Sequence, residues 1–403
     1  MDSKSVLISG AGIAGPTLAF WLAAAGFKPT LVERAPDLRT GGYVVDFWGL
    51  GYDIAERMGL RRDLDAAGYH IRELRIVGDS GEKLAGFGVA TIRSLAGGRF
   101  VTIPRSVLSR LVFDRAASRT EVMFGDQIIA IDEDAGGANV AFERAPARRF
   151  DLVIGADGLH SNVRNLVFGP EPSFETDLGY AIAAFEAEGY RPRDEDVYVL
   201  HNAPGTMVGR VALRDDRSLF LLIFTAENGA LPAGIAEQKG VLRARYGDAG
   251  WECRKILSRL DQATDLYFDR VSQIRMERWS RGRVALVGDA AFCVSLAAGQ
   301  GSALAMTAAY VLAGELAKAG GRHEEAFRAY EALLRSYVGS KQKGAERFSA
   351  AFAPRTRWGL KARNLVVNAL SLPGVGRFVV GRDLIDRLAL PDYSWPLAMR
   401  DAA

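Results

Sequence analysis

Cysteine and histidine are scarce in this chain of 403 residues, and this limits the chemistry its side chains can perform. The two cysteines, Cys253 and Cys293, cannot form a disulfide framework or a zinc site, and we expect reduced core thiols in a cytoplasmic protein. The four histidines show no metal-ligand spacing, so no metal site is predicted. No Ser/His/Asp or Cys/His arrangement indicates a hydrolase.

Long apolar runs and a strong charge imbalance are also missing. No stretch of about 18 uncharged apolar residues occurs, so no membrane span is predicted. The nearest candidate, 296–316, is rich in Ala and Gly and contains Gln300 and Glu315, which favours a buried helix. A net charge of only +3 with scattered arginines predicts no nucleic-acid partner. The first strand begins by Val6, which leaves no room for a signal peptide.

A glycine-rich turn lies between a strand and a helix near the start of the chain. Residues 4–9 and 28–33 are predicted strands, and 14–26 is a predicted helix, which together make a βαβ unit. In such a turn the first glycine permits the bend, the second lets backbone approach a pyrophosphate, and the third lets helix and strand pack closely. Glu33 ends the second strand, where a carboxylate can accept hydrogen bonds from ribose hydroxyls. The candidate binding residues of the turn are Gly10, Ala11, Gly12, Ile13, Ala14 and Gly15.

A second phosphate-type element lies near the other end of the chain. A buried strand ends in Gly288-Asp289, and Gly299, Gln300 and Gly301 open the helix that follows. The helix start presents free N–H groups and the positive end of its dipole, which stabilise a bound anion such as a reduced flavin. Two such elements at opposite ends of one chain indicate one extended ligand held at both ends, and FAD fits that demand.

Further candidate contacts are more ambiguous when each is taken alone. Asp157, beside Gly158 after a buried strand, either holds a ligand hydroxyl or caps the helix that follows. Arg34, Arg39 and Arg105 either reach the phosphates and the dinucleotide cleft or are solvated surface arginines.

We predict an α/β fold with a Rossmann-like FAD-binding lobe, an inserted, mostly antiparallel β-sheet lobe for the substrate, and a C-terminal helical tail. A Gly-Pro-Glu-Pro segment marks the change between the lobes. The predicted boundaries are 1–172 for the first part of the FAD-binding lobe, with a small hairpin excursion near 71–100; 173–277 for the substrate lobe; 278–350 for the second part of the FAD-binding lobe; and 351–403 for the tail.

The order of the glycine motif, Glu33-Arg34, Asp157-Gly158 and Gly288-Asp289 resembles the single-component FAD-dependent aromatic hydroxylases, the para-hydroxybenzoate hydroxylase-like group. The chain is most similar in look to the tetracycline-inactivating flavin monooxygenases, in which Glu-Arg is followed by an arginine, Gly-Gly and an aspartate. The resemblance implies FAD contacts by Asp46, Arg105 and Asp289, and a role for Arg39 toward the nicotinamide cofactor. It covers roughly residues 1–350.

The resemblance also implies a mechanism in which the flavin carries the chemistry and no protein nucleophile is needed. NADPH or NADH docks transiently and reduces FAD, O2 then forms a flavin C4a-hydroperoxide, and its terminal oxygen passes to the substrate. The chain departs from the family where His and a Pro-Pro pair are usual, because it has Phe292 and Ser295-Leu296 there. The loss of the prolines removes a source of stiffness beside the flavin.

The substrate is expected to be a hydrophobic, aromatic or polyketide-like small molecule bound between the flavin and the inserted sheet. Candidate lining residues, each of which can equally be plain core, are Phe47, Met207, Phe220, Phe224 and Phe292.

Two other functions stay open because of the altered loop. One is a non-oxygenating flavin reductase or dehydrogenase, and the other is a flavoprotein that sequesters a drug or metabolite without turnover. The Trp-x-Trp-x-Ile-Pro signature of flavin-dependent halogenases is absent. The chain is expected to be a monomer or a dimer. Residues 358–380 mix Arg and Lys with Leu and Val, which is typical of a helix that bridges two lobes or of one lying at a membrane interface.

Overall fold

The computed structural model describes residues 4–39, 41–226, 231–263, 265–371, 386 and 388–395. The strands, in chain order, are β1 (Ser5–Ser9), β2 (Lys28–Glu33), β3 (Val44–Trp48), β4 (Glu73–Val77), β5 (Lys83–Gly88), β6 (Phe100–Pro104), β7 (Glu121–Phe124), β8 (Ile128–Asp134), β9 (Gly137–Phe142), β10 (Arg148–Phe150), β11 (Leu152–Gly155), β12 (Glu175–Glu188), β13 (Val197–Ala203), β14 (Thr206–Ala212), β15 (Arg217–Thr225), β16 (Tyr267–Ile274), β17 (Ser280–Arg281) and β18 (Val284–Leu286). The helices are α1 (Ala14–Ala24), α2 (Leu50–Arg57), α3 (Arg61–Ala67), α4 (Ala90–Leu95), α5 (Arg105–Ala117), α6 (Asn162–Val167), α7 (Ile235–Tyr246), α8 (Cys253–Leu260), α9 (Asp289–Phe292), α10 (Gly301–Lys318), α11 (His323–Phe352) and α12 (Arg357–Ala369), with single 3₁₀ turns at Glu171–Ser173 and Leu296–Ala298.

A six-stranded sheet in the order β17-β18-β11-β1-β2-β7 organises the first lobe. All its neighbouring strands pair in parallel except β17 and β18. The central strands are continuous apolar runs because helices cover both faces of a parallel sheet. The carboxyl ends of parallel strands meet at one edge, so the segments after β1, β2, β11 and β18 are neighbours.

A seven-stranded sheet in the order β16-β12-β15-β14-β13-β4-β5 forms the second lobe. Its neighbours pair antiparallel, except β13 and β4, which are parallel. The structure confirms the predicted α/β class with an inserted, mostly antiparallel sheet. The predicted hairpin near 71–100 also exists as β4 and β5, and it forms the end of this second sheet.

Helix α10 confirms that the Ala- and Gly-rich stretch at 296–316 contains a buried helix, because α10 is buried from Ala303 to Leu316. In the part of the chain that the structure describes, no helix is long and apolar enough to cross a membrane.

The predicted C-terminal tail is helical only in part. Helix α12 packs against the second sheet, whereas Asp386 with residues 388–395, here called the C-terminal strap, contains no helix or strand and packs against the core of the first lobe. Pro391 disfavours helix in the residue before it. Trp395 packs on Trp21 with ring centroids 4.7 Å apart. The rest of the predicted tail, at 372–385, 387 and 396–403, lies outside the described residues.

Candidate functional site

The three glycines of the turn after β1 have three different surroundings. Gly10 has a φ of +105°, and a Cβ there would lie 2.6 Å from the carbonyl oxygen of Ala156. A Cβ on Gly15 would overlap the carbonyl oxygen of Gly10, so helix and turn touch directly. A Cβ on Gly12 would meet no protein atom within 4 Å. Two glycines therefore serve the fold, and the third faces open space.

Glu33 is held at this turn by its own carboxylate. The Ala11 N–H donates to Glu33 Oε2 at 2.9 Å, and the Ala35 N–H donates to Oε1 at 2.9 Å. The Gly10 N–H also donates to the carbonyl oxygen of Val32 at 2.7 Å. The predicted acid therefore lies beside the glycine turn, as the βαβ interpretation requires.

The two glycine-rich elements meet at Gly288. This residue has a φ of +65°, and a Cβ on it would lie 3.3 Å from Ala14 Cβ and 3.4 Å from Ala305 Cβ. Ala14 is the first residue of α1, so the turn after β18 lies against the start of the first helix. The structure thus brings the two glycine-rich elements together, although they are far apart in sequence.

Asp289 directly follows Gly288 and is the first residue of α9. Burial raises the pKa of its carboxyl group, while the nearby Arg105 guanidinium and a hydrogen bond from Cys293 lower it. Arg105 begins α5, and its N–H donates to the carbonyl oxygen of Tyr43 at 3.0 Å. A Cβ on Gly301 would lie 3.9 Å from Asp289 Oδ1. Asp289, Arg105 and the start of α10 therefore form one charged cluster.

The loop between α9 and α10 is held by buried amides rather than by prolines. The Gln342 side chain donates to the carbonyl oxygens of Ile274 at 2.8 Å and Cys293 at 3.3 Å. Gln273 donates to the carbonyl oxygen of Val294 at 3.2 Å. These bonds fix the loop where the sequence lacks the expected Pro-Pro pair.

The end of the same loop lies near an indole ring. Gly299 has a φ of +62°, and a Cβ on it would lie 3.7 Å from Trp48. Gln300 is buried, and the Nε1–H of Trp48 is buried without a hydrogen-bond partner among the described residues. Trp48 thus leaves one polar atom unsatisfied beside the predicted cofactor residues.

Asp46 lies on β3 and points toward the second sheet. Its Oδ1 accepts hydrogen bonds from the Thr102 hydroxyl at 2.5 Å and from the Tyr198 hydroxyl at 3.2 Å. Burial raises the pKa of the carboxyl group, and both hydroxyls lower it. Asp46 therefore bridges the two lobes.

The carboxylate of Asp157 accepts hydrogen bonds from nearby groups of the chain itself. Its Oδ1 accepts from the Ser161 hydroxyl at 2.5 Å, and its Oδ2 accepts from the Val163 N–H at 3.0 Å. The N-cap of α6 is Ser161, whose hydroxyl accepts from the Arg164 N–H at 3.0 Å, and Asp157 supports this helix start from outside the helix. Arg34 and Arg39 are both exposed.

The five predicted substrate residues do not lie together. Phe47 and Phe292 are buried in the main core, where the ring centroids of Phe292 and Trp279 are 4.5 Å apart. Phe220 and Phe224 lie on the sheet face that packs against α7 and α8. Only Met207 lies on the opposite face, which approaches the loop before α10. That face and the loop enclose an apolar crevice lined by Tyr180, Ile223, Val271, Leu296, Ser349 and Phe352.

Sequence reasoning missed a pair of tyrosines between the lobes. The rings of Tyr43 and Tyr267 are 5.5 Å apart, and burial raises the pKa of Tyr43 to about 12 although Arg105 opposes this. The Tyr267 hydroxyl donates to Asp269 Oδ2 at 3.3 Å, and His160 Nε2 lies 3.1 Å from the same oxygen. These residues come from separate segments and share no motif, so no local signal marks them.

A Cys–His–Asp row also occurs on the outer side of the second sheet. His201 Nδ1 lies 3.9 Å from Cys253 Sγ, and its Nε2 lies 2.9 Å from Asp79 Oδ1. Burial raises the pKa of Cys253 to about 12, so the thiol stays protonated and is a poor nucleophile. Cys253 and Cys293 are free and buried, as predicted for core thiols.

The junction fits an FAD molecule. The open space at Gly12 lets a phosphate approach the backbone at the start of α1, where N–H groups are unsatisfied. Glu33 lies at the adjacent strand end, and Asp289 with Gly301 lies at the other side of Gly288. One extended ligand that passes Gly288 could therefore contact both elements.

Comparisons with known proteins agree with this geometry. The family described as "FAD binding domain" matches residues 3–347. A flavin-dependent monooxygenase from an unknown prokaryotic organism is 34% identical over 351 residues, covering 84% of this chain and 88% of the relative. A flavin-dependent monooxygenase of Legionella longbeachae serogroup 1 (strain NSW150) is 33% identical over 354 residues, covering 84% and 87%. The crystal structure of tetracycline destructase Tet(51) matches with a TM-score of 0.82 and 31% identity, covering 97% of this chain and 100% of that one.

Proposed function

Because this chain belongs to the FAD binding domain family and is an FAD-dependent monooxygenase, we propose that it hydroxylates a hydrophobic, aromatic or polyketide-like small molecule with NADPH or NADH and O2. The observation that supports the substrate class is the apolar face of the second sheet, with Tyr180, Met207 and Ile223, which packs toward Leu296 in the loop that leads into Gly299. An apolar wall next to a few polar groups is typical of a small-molecule site. The similarity to a tetracycline destructase makes polyketides a natural first group of compounds to test.

When bound, the flavin supplies hydride acceptance and oxygen activation, and this chain supplies binding, orientation and exclusion of water. We assign the pyrophosphate to the turn at Gly10–Gly15 and the ribose hydroxyls to Glu33. Asp46, Arg105 and Asp289, with the start of α10, are assigned to the rest of FAD. Arg39, exposed at the surface, is assigned to the transient nicotinamide cofactor.

Loop rigidity favours oxygen transfer over the alternative of a reductase. A loop beside the oxygen-reacting face has to keep water away and hold the substrate. The hydrogen bonds from Gln273 and Gln342 to the carbonyls of this loop supply the order that the missing prolines do not. The absence of the Pro-Pro pair is therefore a weak argument against a monooxygenase.

Compound-stimulated oxidation of NADPH and of NADH tests the proposal. Purified holoenzyme is incubated with each cofactor and a panel of aromatic and polyketide compounds, and product is followed by mass spectrometry. The proposal predicts that some compound accelerates cofactor oxidation and is itself hydroxylated. Cofactor oxidation without a hydroxylated product favours the reductase, and tight binding without either favours the sequestering flavoprotein.

Free, buried cysteines are consistent with a cytoplasmic location, which we also propose.

A further inference from the structure

Helix α12 packs on the second sheet through its polar side. The Asn368 side chain donates to the carbonyl oxygen of Leu84 at 3.3 Å and accepts from the Gly86 N–H at 3.2 Å. Arg363 Nη2 donates to Asn202 Oδ1 at 2.9 Å. The helix is therefore attached to the sheet by hydrogen bonds from its polar residues.

Three large apolar residues of α12 are exposed on the side away from the sheet, whereas Leu360 and Val367 are half-buried. Trp358 is 80% exposed, Leu365 is 74% exposed and Val366 is 57% exposed. Lys361 and Ala362 are exposed between them, and these five residues, here called the tail stripe, follow one side of the helix. Among the described residues, nothing covers this side. A surface helix usually turns its apolar residues inward, whereas α12 also carries a second apolar side that faces outward.

The charge of this helix narrows the choice of partner. It contains Arg357, Lys361 and Arg363 and no acidic residue. Lys361 Nζ lies 5.1 Å from the centre of the Trp358 ring. Tryptophan beside a basic side chain is typical of helices that lie in a membrane interface, where the ring sits at headgroup depth and the ammonium group reaches the phosphates.

We propose that the tail stripe docks this monooxygenase on an anionic lipid surface, with α12 lying in the plane of the interface. The apolar side chains enter the headgroup region, and the exposed Arg357 and Lys361 pair with lipid phosphates. The contact is peripheral, and it leaves both lobes in the aqueous phase. It involves none of the residues assigned to FAD.

Co-sedimentation of the holoenzyme with vesicles tests this docking. We expect binding to vesicles of phosphatidylcholine with phosphatidylglycerol, and little binding to phosphatidylcholine alone. Raising the salt should release the protein, because the Debye length falls from about 30 Å at 0.01 M to about 3 Å at 1 M.

Three variants and a control make the test specific. Leu365→Ser with Val366→Ser should lower the partition coefficient by about tenfold or more, since both side chains lose apolar contact with the bilayer. Trp358→Ala and Lys361→Glu should each lower it as well. Ile129→Ser is the matched control, because Ile129 is 51% exposed on β8 in a different sheet, and it should bind like the unmodified protein.

Three results would overturn the proposal. One is no sedimentation with anionic vesicles at low salt, and another is equal binding by the Leu365/Val366 variant and the unmodified protein. The third is a dimer in light scattering that the same variant converts to a monomer without any vesicle binding, because a second copy of the chain would then cover the stripe. FAD absorbance is measured in every variant, so loss of fold is recognised separately.

Discussion

Single residues at the turn after β1 have separable tasks. Gly10 and Gly15 are required because their surroundings leave no room for a Cβ, whereas Gly12 has room. The sequence motif alone does not separate these tasks, because all three positions contain the same residue. The structure therefore turns one motif into two kinds of test.

Replacing Gly12 by valine should remove FAD without unfolding the chain. The new side chain meets no protein atom at its Cβ, so it occupies the space assigned to the pyrophosphate. Loss of a hydrogen bond to the charged phosphates, at about 1.5–3 kcal/mol, corresponds to a fall in FAD affinity of about tenfold or more. Circular dichroism and flavin absorbance check this prediction. Gly15→Val is the control and should damage folding itself, so a folded, fully flavin-loaded Gly12→Val protein contradicts the assignment.

Asp289→Ala should weaken FAD binding, because it removes the carboxylate that sits between Arg105 and the start of α10. Asp289→Asn keeps the shape and serves as the comparison, and it should retain more flavin than the alanine variant. Equilibrium dialysis against FAD measures both. Full occupancy in Asp289→Ala would exclude this carboxylate from the cofactor site.

His160→Gln should have a pH-dependent effect on stability. Asp269 and Glu171 raise the pKa of His160 to about 10, above the unfolded value of about 6.5. The stabilisation is therefore complete below about pH 6.5 and is lost as the pH rises through about 10. Because the side chain is 59% exposed, we expect only about 1 kcal/mol.

Denaturant unfolding of both proteins at about pH 6 and about pH 10.5 checks this expectation. The variant should be less stable at the lower pH, and the difference should shrink at the higher one. An equal difference at both values would show that the imidazole charge is not responsible.

At the scale of elements, the sequence predicted those whose signals are local. Strand β2 matches the predicted bounds of 28–33, because Gly26, with a φ of +86°, marks the end of the helical segment before it. Helix α8 was not predicted. The parallel pairing of β4 with β13 depends on residues that are distant in sequence, so no local pattern reveals it.

The substrate face of the second sheet could not be predicted from the sequence. Strand β15 is apolar at nearly every position, since both of its faces are covered. Alternation therefore does not tell which side faces the cofactor, and Phe220 and Phe224 lie on the side of α7 and α8. Ile223 lies on the crevice side.

The C-terminal strap should contribute strongly to stability through Asp386. Its carboxylate accepts from the Leu50 N–H at 2.9 Å and the Tyr337 hydroxyl at 2.5 Å, and it pairs with Lys341 at 2.9 Å. Asp386 and Lys341 are only 8% and 12% exposed. Asp386→Ala leaves a buried ammonium group unpaired and should cost about 3–5 kcal/mol.

A double-mutant cycle measures this contribution. Adding Lys341→Met to Asp386→Ala should recover part of the loss, because it removes the unpaired charge. A loss within about 0.5 kcal/mol for the single variant would mean that the strap contributes little. Since Leu50 begins the helix after β3, the strap also supports the element that presents Asp46.

At the scale of the whole molecule, the two lobes are joined around the proposed reaction site. Asp46 accepts a hydrogen bond from Tyr198 of the second sheet, and Gln342 of α11 connects β16 to the loop before α10. The family resemblance predicted the cofactor residues, while the contacts between lobes required the folded chain. The joined lobes suit a reaction that needs a dry, ordered space beside the flavin.

Transfer of labelled oxygen distinguishes a monooxygenase from a flavin reductase. The holoenzyme is given NADPH, ¹⁸O₂ and the compound that most stimulates cofactor oxidation, and the product is analysed by mass spectrometry. If the chain is a monooxygenase, we expect one atom of ¹⁸O in the product. The label should be absent when the same reaction is run in H₂¹⁸O under ordinary oxygen. A product without label from ¹⁸O₂, despite steady NADPH oxidation, would contradict this expectation.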